Sequence, residues 1–353
     1  MHPFRENNQG SVDKIESVNK SALLYLSFGG PNTEDEILPF MENVTRGRNI
    51  PQERLIEVSK HYYLFGGKSP INEINLDIIE RLKAVLKERG LLVDLYFGNR
   101  NWEPYVGDIV KDIAADGFEN FFYFATSAYS SYSGCRQYRE DVSRAMDQLS
   151  DASAIKLPHF YNRRGFVQPF IDDIIEKVTS LDMPLTEIEI CYSAHSVPLS
   201  MVEASFYTQQ LGQAISYIHS KVIGHFGEEI SHAKVYQSRS GPPNQPWLEP
   251  DISDHMATLQ GKKGVISVPV GFISDHMEVI YDLDTLAKDN AALLNLQYLR
   301  VKTPSPSPLF IEMIADLLEE ELDPSIERRV IKEVGEPFDT CGQRCCLVER
   351  PRH

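Results

Sequence analysis

Short apolar segments alternate with longer amphipathic segments along most of the chain. The apolar segments have the length of buried β-strands, at 22–28, 92–98, 120–127, 187–193, 233–237 and 264–270. The amphipathic segments have apolar residues at helical spacing, and we predict helices at 71–89, 104–116, 167–181 and 309–321. Strand–helix alternation of this kind predicts an α/β fold with parallel sheets flanked by helices.

The chain passes through this alternation twice. We predict a first half at residues 20–182 and a second half at 183–325, with the break near Pro184, which interrupts a helix before the next strand. Residues 1–19 are polar and mixed in charge, and we expect a flexible N-terminal arm there. Residues 326–353 have no period of their own and are interpreted as a C-terminal extension that carries three cysteines.

Composition and charge exclude several classes of protein. The chain has 353 residues, with 35 basic and 51 acidic side chains and a formal charge of −16, which argues against binding to nucleic acid. Its apolar runs are far shorter than the roughly 18–20 residues that span a bilayer, so we expect no membrane segment and no signal peptide. Five cysteines, an odd number, make a poor disulfide framework and favour the reducing cytoplasm.

The residues that follow the predicted strands carry the candidate chemistry, because open α/β sheets bind ligands at the carboxyl ends of their strands. His195 ends one strand, and the pattern leaves open whether it is functional or a hydrogen-bonded structural histidine. After the last strand, a helix beginning near Ser274 would place Asp275, Glu278 and Asp282 on one face. Such a face suits a divalent cation, but the spacing alone favours a solvated acidic surface.

Motifs for several other activities do not occur in the chain. There is no HExxH, no paired CxxC, no GxSxG and no GxxxxGK[ST], which argues against metalloproteases, structural zinc sites, serine hydrolases and P-loop enzymes. The turn after the first strand, Phe28–Gly29–Gly30–Pro31, is not a dinucleotide-binding motif. A histidine together with a carboxylate can accept protons and bind a cation such as Fe²⁺ or Zn²⁺.

Eight sequence blocks, in this order, resemble the ferrochelatases, which insert ferrous iron into a porphyrin. They are LLYLSFGGP (23–31), VTRGR (44–48), GGKSPIN (66–72), GNRNW (98–102), TSAYSSYSGCRQY (126–138), YSAHSVP (192–198), YQSRSGPPNQPWLEPD (236–251) and PVGFISDHMEVIYDLD (269–284). The resemblance covers about residues 20–325, and SAHSxP and GFxxDHxEVxYDxD are its most specific parts. It implies two similar Rossmann-like halves with a porphyrin cleft between them.

The resemblance assigns the catalytic and metal-binding residues. His195 resembles the family's active-site histidine and Glu278 its facing glutamate, a pair that binds the incoming metal and accepts pyrrole protons. Asp282 resembles an outer position on the family's acidic metal path. The chemistry of these side chains is compatible with those roles, since a neutral imidazole accepts a proton near pH 7 and carboxylates bind Fe²⁺.

The resemblance also implies contacts with the porphyrin. Ser69 and Tyr138 match positions that contact the ring in the family, and Arg46 is placed to meet a propionate, for which a guanidinium is suited. Phe28 stands where relatives have a tyrosine that contacts the metal. Phenylalanine can stack on the macrocycle but cannot bind iron.

Some ferrochelatases hold a [2Fe–2S] cluster with one internal cysteine and three from a C-terminal extension. Cys135 resembles the internal ligand, and Cys341, Cys345 and Cys346 would complete the four thiolates. The C-x3-C-C spacing differs from that of some cluster-bearing relatives, so reduced tail thiols are the alternative. Cys191 lies within a predicted strand and is interpreted as a small buried side chain.

The sequence leaves the substrate open. Protoporphyrin IX carries two propionates and coproporphyrin III four, and the motifs resemble bacterial forms, many of which act on coproporphyrin III. Basic residues that suit either porphyrin are Arg46, Arg48, Lys68 and Arg100. A chelatase for another tetrapyrrole and metal, or a non-catalytic heme-binding protein, are the alternatives. We expect porphyrin and ferrous iron as partners, and a monomer.

Overall fold

The structure is a computed structural model, and it describes residues 20–47, 50–147, 149, 152–241, 244–337 and 345–347. The predicted N-terminal arm at 1–19 lies outside the described residues, as do Arg48 and Cys341. No helix in the described part of the chain is both long and apolar enough to cross a bilayer.

The described residues form two parallel sheets of four strands each. The first sheet has the order β2-β1-β3-β4 and the second the order β6-β5-β7-β8, so the same topology occurs twice. The strands are β1 Ser21–Ser27, β2 Val93–Asn99, β3 Asn120–Ala125, β4 Ser153–Lys156, β5 Ile188–His195, β6 Ser231–Gln237, β7 Gly264–Val268 and β8 Gln297–Arg300. The predicted α/β fold with two similar halves is confirmed.

Helices cover the faces of both sheets. They are α1 Ile37–Val44, α2 Gln52–Tyr63, α3 Ile71–Glu88, α4 Val106–Ala115, α5 Gln137–Met146, α6 Arg164–Ser180, α7 Leu199–Glu203, α8 Tyr207–Phe226, α9 Ile252–Thr258, α10 Met277–Val279, α11 Lys288–Leu293 and α12 Pro308–Leu322. Two π-helical segments join this set: Tyr132–Arg136 leads into α5, and Ile280–Ala287 connects α10 to α11. The second segment carries Asp282.

All six predicted strands occur, with ends that differ by at most two residues. Strands β4 and β8 were not predicted, because each has only four residues at the edge of its sheet and only partial burial. Edge strands lack the continuous apolar run that marks a strand covered on both faces.

The strands are apolar because helices cover both faces. Successive residues of β1 point to opposite sides, so Leu23 and Tyr25 enter one core while Leu24 and Leu26 enter another. The first of these cores also contains Ile190 of β5, and therefore extends across both halves.

Helix α12 lies at the end of the predicted second half but packs against α3 and α6 of the first half. A buried ion pair accompanies this packing. Arg163 Nη1 lies 2.6 Å from Glu320 Oε1, and Nη2 lies 2.9 Å from Oε2, with side chains 3% and 0% exposed. The last helix of the second half therefore packs on the first half. The division of the chain at residues 182 and 183 stays a prediction.

Replacing Glu320 should destabilise the fold strongly. The Glu320→Gln change leaves the Arg163 guanidinium buried without its counter-charge, which costs about 3–5 kcal/mol in free energy of unfolding. Burial alone would raise the pKa of Glu320, but hydrogen bonds from Arg163 and the Arg329 backbone outweigh it and lower that pKa. The stabilisation is therefore present above the unfolded-state pKa and lost in acid as the pH falls through the lowered pKa.

Urea unfolding at neutral pH measures this effect. The control is Glu80→Gln, since Glu80 pairs with Lys83 on the exposed surface of α3 and its loss should leave the midpoint unchanged. Equal midpoints for the two variants would contradict the structural role of the Arg163–Glu320 pair.

Candidate active site

His195 is the last residue of β5 and lies at the carboxyl edge of the second sheet. Its Nδ1 atom is 2.5 Å from the Ser196 carbonyl oxygen. Because a carbonyl only accepts hydrogen bonds, Nδ1 carries the proton and the Nε2 lone pair of the neutral ring is available. The Tyr207 hydroxyl donates a hydrogen bond to the backbone carbonyl oxygen of His195 at 3.0 Å and so holds the His195 backbone in place.

Glu278 reaches the same place from the segment after β7. Gly271 lets this segment pass close to β5, since a Cβ there would lie 2.6 Å from the Ala194 Cα. Helix α10 then begins at Met277 and presents Glu278, whose Oε2 lies 3.7 Å from His195 Nε2. Both side chains are open to the crevice, at 34% and 59% exposure. The structure therefore brings together the two residues predicted as the catalytic pair.

Asp282 lies further along, in the π-helical segment. It accepts hydrogen bonds from the Ser238 hydroxyl and, at 3.4 Å, from the Gln237 side-chain amide, both at the end of β6. Burial raises the pKa of Asp282 to about 6; the bonds from Ser238 and Gln237 oppose this rise, and the nearby charge of Glu278 adds to it. Ser238 has φ of +61°, a left-handed conformation that is uncommon for a residue other than glycine.

The expected helix register in this segment was wrong. The helix begins at Met277 rather than near Ser274, and its later part is π-helical, with a wider turn than an α-helix. Asp275 therefore precedes the helix, and its carboxylate is hydrogen-bonded to Arg300 and Thr303. Apolar periodicity could not reveal this, because it assumes 3.6 residues per turn.

Side chains of the first half approach Glu278 and Asp282 from the opposite side. The His61 ring of α2 stacks on the Tyr281 ring, with centroids 3.6 Å apart and planes at 11°. Burial raises the pKa of the neighbouring Tyr62 hydroxyl, and the charge of Glu278 adds to the rise. Helix α2 of the first half and the π-helical segment of the second half are thus in contact beside Glu278.

The four predicted porphyrin contacts differ in exposure. Phe28 is 39% exposed and packs edge-on against Phe40. Arg46 is exposed and donates to the side-chain oxygen of Asn43. These two side chains can reach a ligand directly.

Ser69 and Tyr138 are each 4% exposed. Ser69 packs against Gly30, where a Cβ would lie 2.7 Å from the Ser69 Cβ. The Tyr138 ring lies beneath Arg100, whose guanidinium carbon is 4.8 Å from the ring centroid. The structure therefore places these two residues behind other side chains.

Buried hydrogen bonds connect the facing edges of the two halves. Tyr129, in the loop after β3, donates its hydroxyl proton to the Val270 carbonyl at 2.9 Å. The backbone N–H and the hydroxyl of Ser130 donate to the Gln210 side-chain oxygen of α8, at 2.7 and 3.0 Å. Since all four residues are buried, losing either connection would leave polar groups unsatisfied.

The C-terminal tail contacts the segment that carries Cys135. Arg136 donates to the carbonyl of Cys345 at 2.8 Å, and the Sγ atoms of Cys345 and Cys346 are 3.6 Å apart. Cys135 is buried, with its Sγ 3.5 Å from His159 Nε2. Among the residues that the structure describes, no three His, Cys, Asp or Glu side chains are grouped closely enough to hold a metal ion. The predicted ligand Cys341 lies outside those residues.

Several residues around the pair had no predicted role, namely Tyr207, Gln237, Ser238, His61 and Tyr281. Gln237 and Ser238 could have been found, because they end β6 just as His195 ends β5. Tyr207 and His61 come from distant helices, and no local pattern indicates their positions.

Comparisons with known proteins agree with this geometry. The ferrochelatase family profile matches residues 20–322. Coproporphyrin III ferrochelatase of Streptomyces griseus subsp. griseus is 41% identical over 354 residues, covering 94% of both chains. Coproporphyrin III ferrochelatase of Frankia alni is 42% identical over 346 residues, covering 94% of this chain and 88% of its own.

A solved structure shares the fold. It is described as CbiX, the terminal enzyme for biosynthesis of siroheme in denitrifying bacteria, and covers 86% of this chain and 100% of its own at a TM-score of 0.50 and 13% identity. The family profile spans both sheets and the His195–Glu278 pair. This chain therefore belongs to the ferrochelatase family and is an enzyme that inserts iron into a porphyrin in heme biosynthesis.

Proposed function

We propose that this enzyme inserts Fe²⁺ into coproporphyrin III, with His195 and Glu278 as its catalytic pair. The 3.7 Å approach of His195 Nε2 to Glu278 Oε2 at an open sheet edge carries the proposal for the pair. The substrate is inferred from relatives that are about 41% identical over nearly their full length and act on coproporphyrin III. Protoporphyrin IX is the competing substrate.

The reaction requires two acceptors for protons, because each entering Fe²⁺ displaces two pyrrole N–H protons. The His195 Nε2 lone pair accepts one of them, since Nδ1 already donates its proton to the Ser196 carbonyl. The Glu278 carboxylate supplies an oxygen ligand to the metal before insertion and, once the metal has left it for the ring, accepts the second proton. Both groups keep their positions during the step because rigid strand and helix ends hold them.

Asp282 is proposed as an outer position for the arriving metal. Its carboxylate lies one turn beyond Glu278 and is held by Ser238 and Gln237. With its pKa raised to about 6, this group is ionised at neutral pH but near its titration range. It can therefore bind Fe²⁺ and release it without a large electrostatic penalty.

We propose that Phe28 stacks on the porphyrin and that Arg46 binds a propionate. Both side chains are exposed, and Arg46 is bonded to a neutral amide, which does not neutralise its charge. Ser69 and Tyr138 are proposed to act on the porphyrin through the neighbours that they support. Ser69 packs against the turn at Gly30, and the Tyr138 ring packs against the Arg100 guanidinium.

Removing either member of the pair should abolish metallation. We expect Glu278→Gln to lower kcat by about 10²-fold or more, the loss typical of one positioned proton-transfer group. His195→Ala should reduce turnover further while porphyrin binding remains measurable. Steady-state metallation with Fe²⁺ under anaerobic conditions, followed by absorbance, measures both.

Glu80→Gln is the control for carboxylate loss away from the site, and should keep wild-type turnover. Turnover of His195→Ala within tenfold of wild type would refute the catalytic assignment. A fully active Glu278→Gln variant would mean that Glu278 has no catalytic role and belongs only to a solvated acidic surface.

Coproporphyrin III should be the better substrate. We expect a kcat/KM at least about tenfold higher for coproporphyrin III than for protoporphyrin IX, the effect of one additional charge-assisted propionate contact. Arg46→Gln should raise KM for coproporphyrin III with little change in kcat, because it removes binding made equally in the ground and transition states. Parallel assays of both porphyrins measure this.

Arg54→Gln is the matched control, since Arg54 is also exposed but is paired with Glu57. Higher kcat/KM with protoporphyrin IX would overturn the proposed substrate without affecting the assignment of the pair.

We further propose that Cys135, Cys341, Cys345 and Cys346 hold a [2Fe–2S] cluster. The proposal is supported by the position of the tail, because the Cys345 carbonyl accepts a hydrogen bond from Arg136, next to Cys135, and the Sγ atoms of Cys345 and Cys346 are 3.6 Å apart. When bound, the cluster would join the tail to the first half and stabilise it. His195 and Glu278 make no use of it.

Protein purified without oxygen should be brown and contain about two irons and two sulfides per chain. Each Cys→Ser change among the four should remove the colour and lower the unfolding midpoint. Cys191→Ser is the matched control, because Cys191 is buried within β5 and should leave the colour unchanged. Colourless, iron-free protein from cells supplied with iron would contradict the cluster.

We infer that the enzyme acts in the cytoplasm. Within the described residues no disulfide joins two cysteines, and the proposed cluster requires reduced thiolates. Both features suit a reducing compartment.

A further inference from the structure

Arg300 ends β8, the edge strand of the second sheet, and its side chain is only 15% exposed. It binds two carboxylates at once. Nη1 and Nη2 each lie 3.0 Å from one oxygen of Asp275, and Nε lies 2.7 Å from Asp284 Oδ1. We call this arrangement the Arg300 clamp.

The two carboxylates of the clamp lie on either side of the proposed catalytic glutamate. Asp275 precedes Glu278 by three residues, and Asp284 follows it by six, within the π-helical segment. Thr303 also donates to Asp275, at 3.1 Å. Arg300 therefore joins the start of the helix to its π-helical part and to the edge of the sheet.

The clamp is a strong interaction by its geometry. The contact with Asp275 is bidentate, and the partly buried carboxylates are 27% and 35% exposed. Burial disfavours the charged guanidinium, but the hydrogen bonds that Arg300 donates to Asp275 and Asp284 outweigh it and raise the pKa of Arg300. Arg300 is therefore charged at any pH at which the protein is folded.

The π-helical segment needs such an anchor. A π-helix is rare and usually short, and relaxation to an α-helix would rotate the residues that follow Glu278 around the axis. The contact of Arg300 with Asp284 holds the π-helical segment in its register. The contact of Arg300 with Asp275 holds the residues that precede the helix.

We propose that Arg300 is a positioning residue for metallation, whose clamp on Asp275 and Asp284 holds Glu278 opposite His195. The proposal rests on the proposed catalytic role of Glu278. Arg300 itself makes no contact with His195 or Glu278 among the described hydrogen bonds and ion pairs, so it acts through the segment that it anchors.

The test is Arg300→Gln, which keeps a planar polar group and removes the charge and the fork. We expect kcat to fall about 10- to 100-fold, the effect of a displacement of about 1 Å at the reacting groups. The porphyrin Kd, from an equilibrium absorbance titration, should be unchanged, because Arg46 and Phe28 lie on the other half. Arg300→Lys should recover part of kcat, since an ammonium still binds one carboxylate.

Arg89→Gln is the matched control. Arg89 is also largely buried, at 22% exposure, and binds Glu312, Asp316 and Glu319 of α12, far along the chain from the pair. It should lower the unfolding midpoint but keep kcat per folded molecule. If Arg300→Gln does not fold, Asp284→Asn removes one arm of the clamp and should lower kcat in the same direction.

Wild-type kcat in Arg300→Gln or Asp284→Asn would overturn the clamp, and so would a raised porphyrin Kd with unchanged kcat. These outcomes are separate from failure of the proposed function, which is decided by Glu278→Gln. An inactive Glu278→Gln with a fully active Arg300→Gln would reject the clamp and leave the catalytic pair in place.

Discussion

The hydrogen bond from the Tyr129 hydroxyl to the Val270 carbonyl holds the carboxyl edges of the two sheets together. Both groups are buried, so a displaced edge would leave two polar groups without partners and without water. The Ser130–Gln210 bonds impose the same constraint nearby. The geometry between the halves depends on this registration, because the proposed catalytic pair belongs to one half and the exposed Phe28 and Arg46 belong to the other.

The two halves share a topology but carry different side chains at the ends of their strands. His195, Glu278 and Asp282 all follow strands of the second sheet, whereas the first sheet's edge presents aromatic and basic side chains. A macrocycle between such surfaces would have an apolar and cationic side for the ring and its propionates, and a side with proton acceptors and metal ligands. Repetition of the fold thus provides two similar strand edges, and divergence of the residues at the strand ends gives each edge its own side-chain chemistry.

Hydrogen bonds and ion pairs of the second half act on the individual residues of the site. The Ser196 carbonyl fixes the tautomer of His195, and partial burial brings the pKa of Asp282 to about 6. Arg300 forms ion pairs with Asp275 and Asp284, whereas Glu278 and Asp282 are not bound to this guanidinium. The acidic segment is consequently divided into two carboxylates that bind Arg300 and two that are proposed to bind the metal.

The sequence by itself determined the α/β class, the six long strands, the doubled series and the position of His195 at a strand end, because these depend on local periodicity and on turn residues. The edge strands β4 and β8 were not predicted, since four half-buried residues have no distinct period. Only the tertiary structure decided that Asp275 binds Arg300, that His61 stacks on Tyr281, and that α12 packs against helices of the first half. These contacts join residues far apart in the chain, and π-helical winding changes which carboxylates share a face, so no local pattern encodes them.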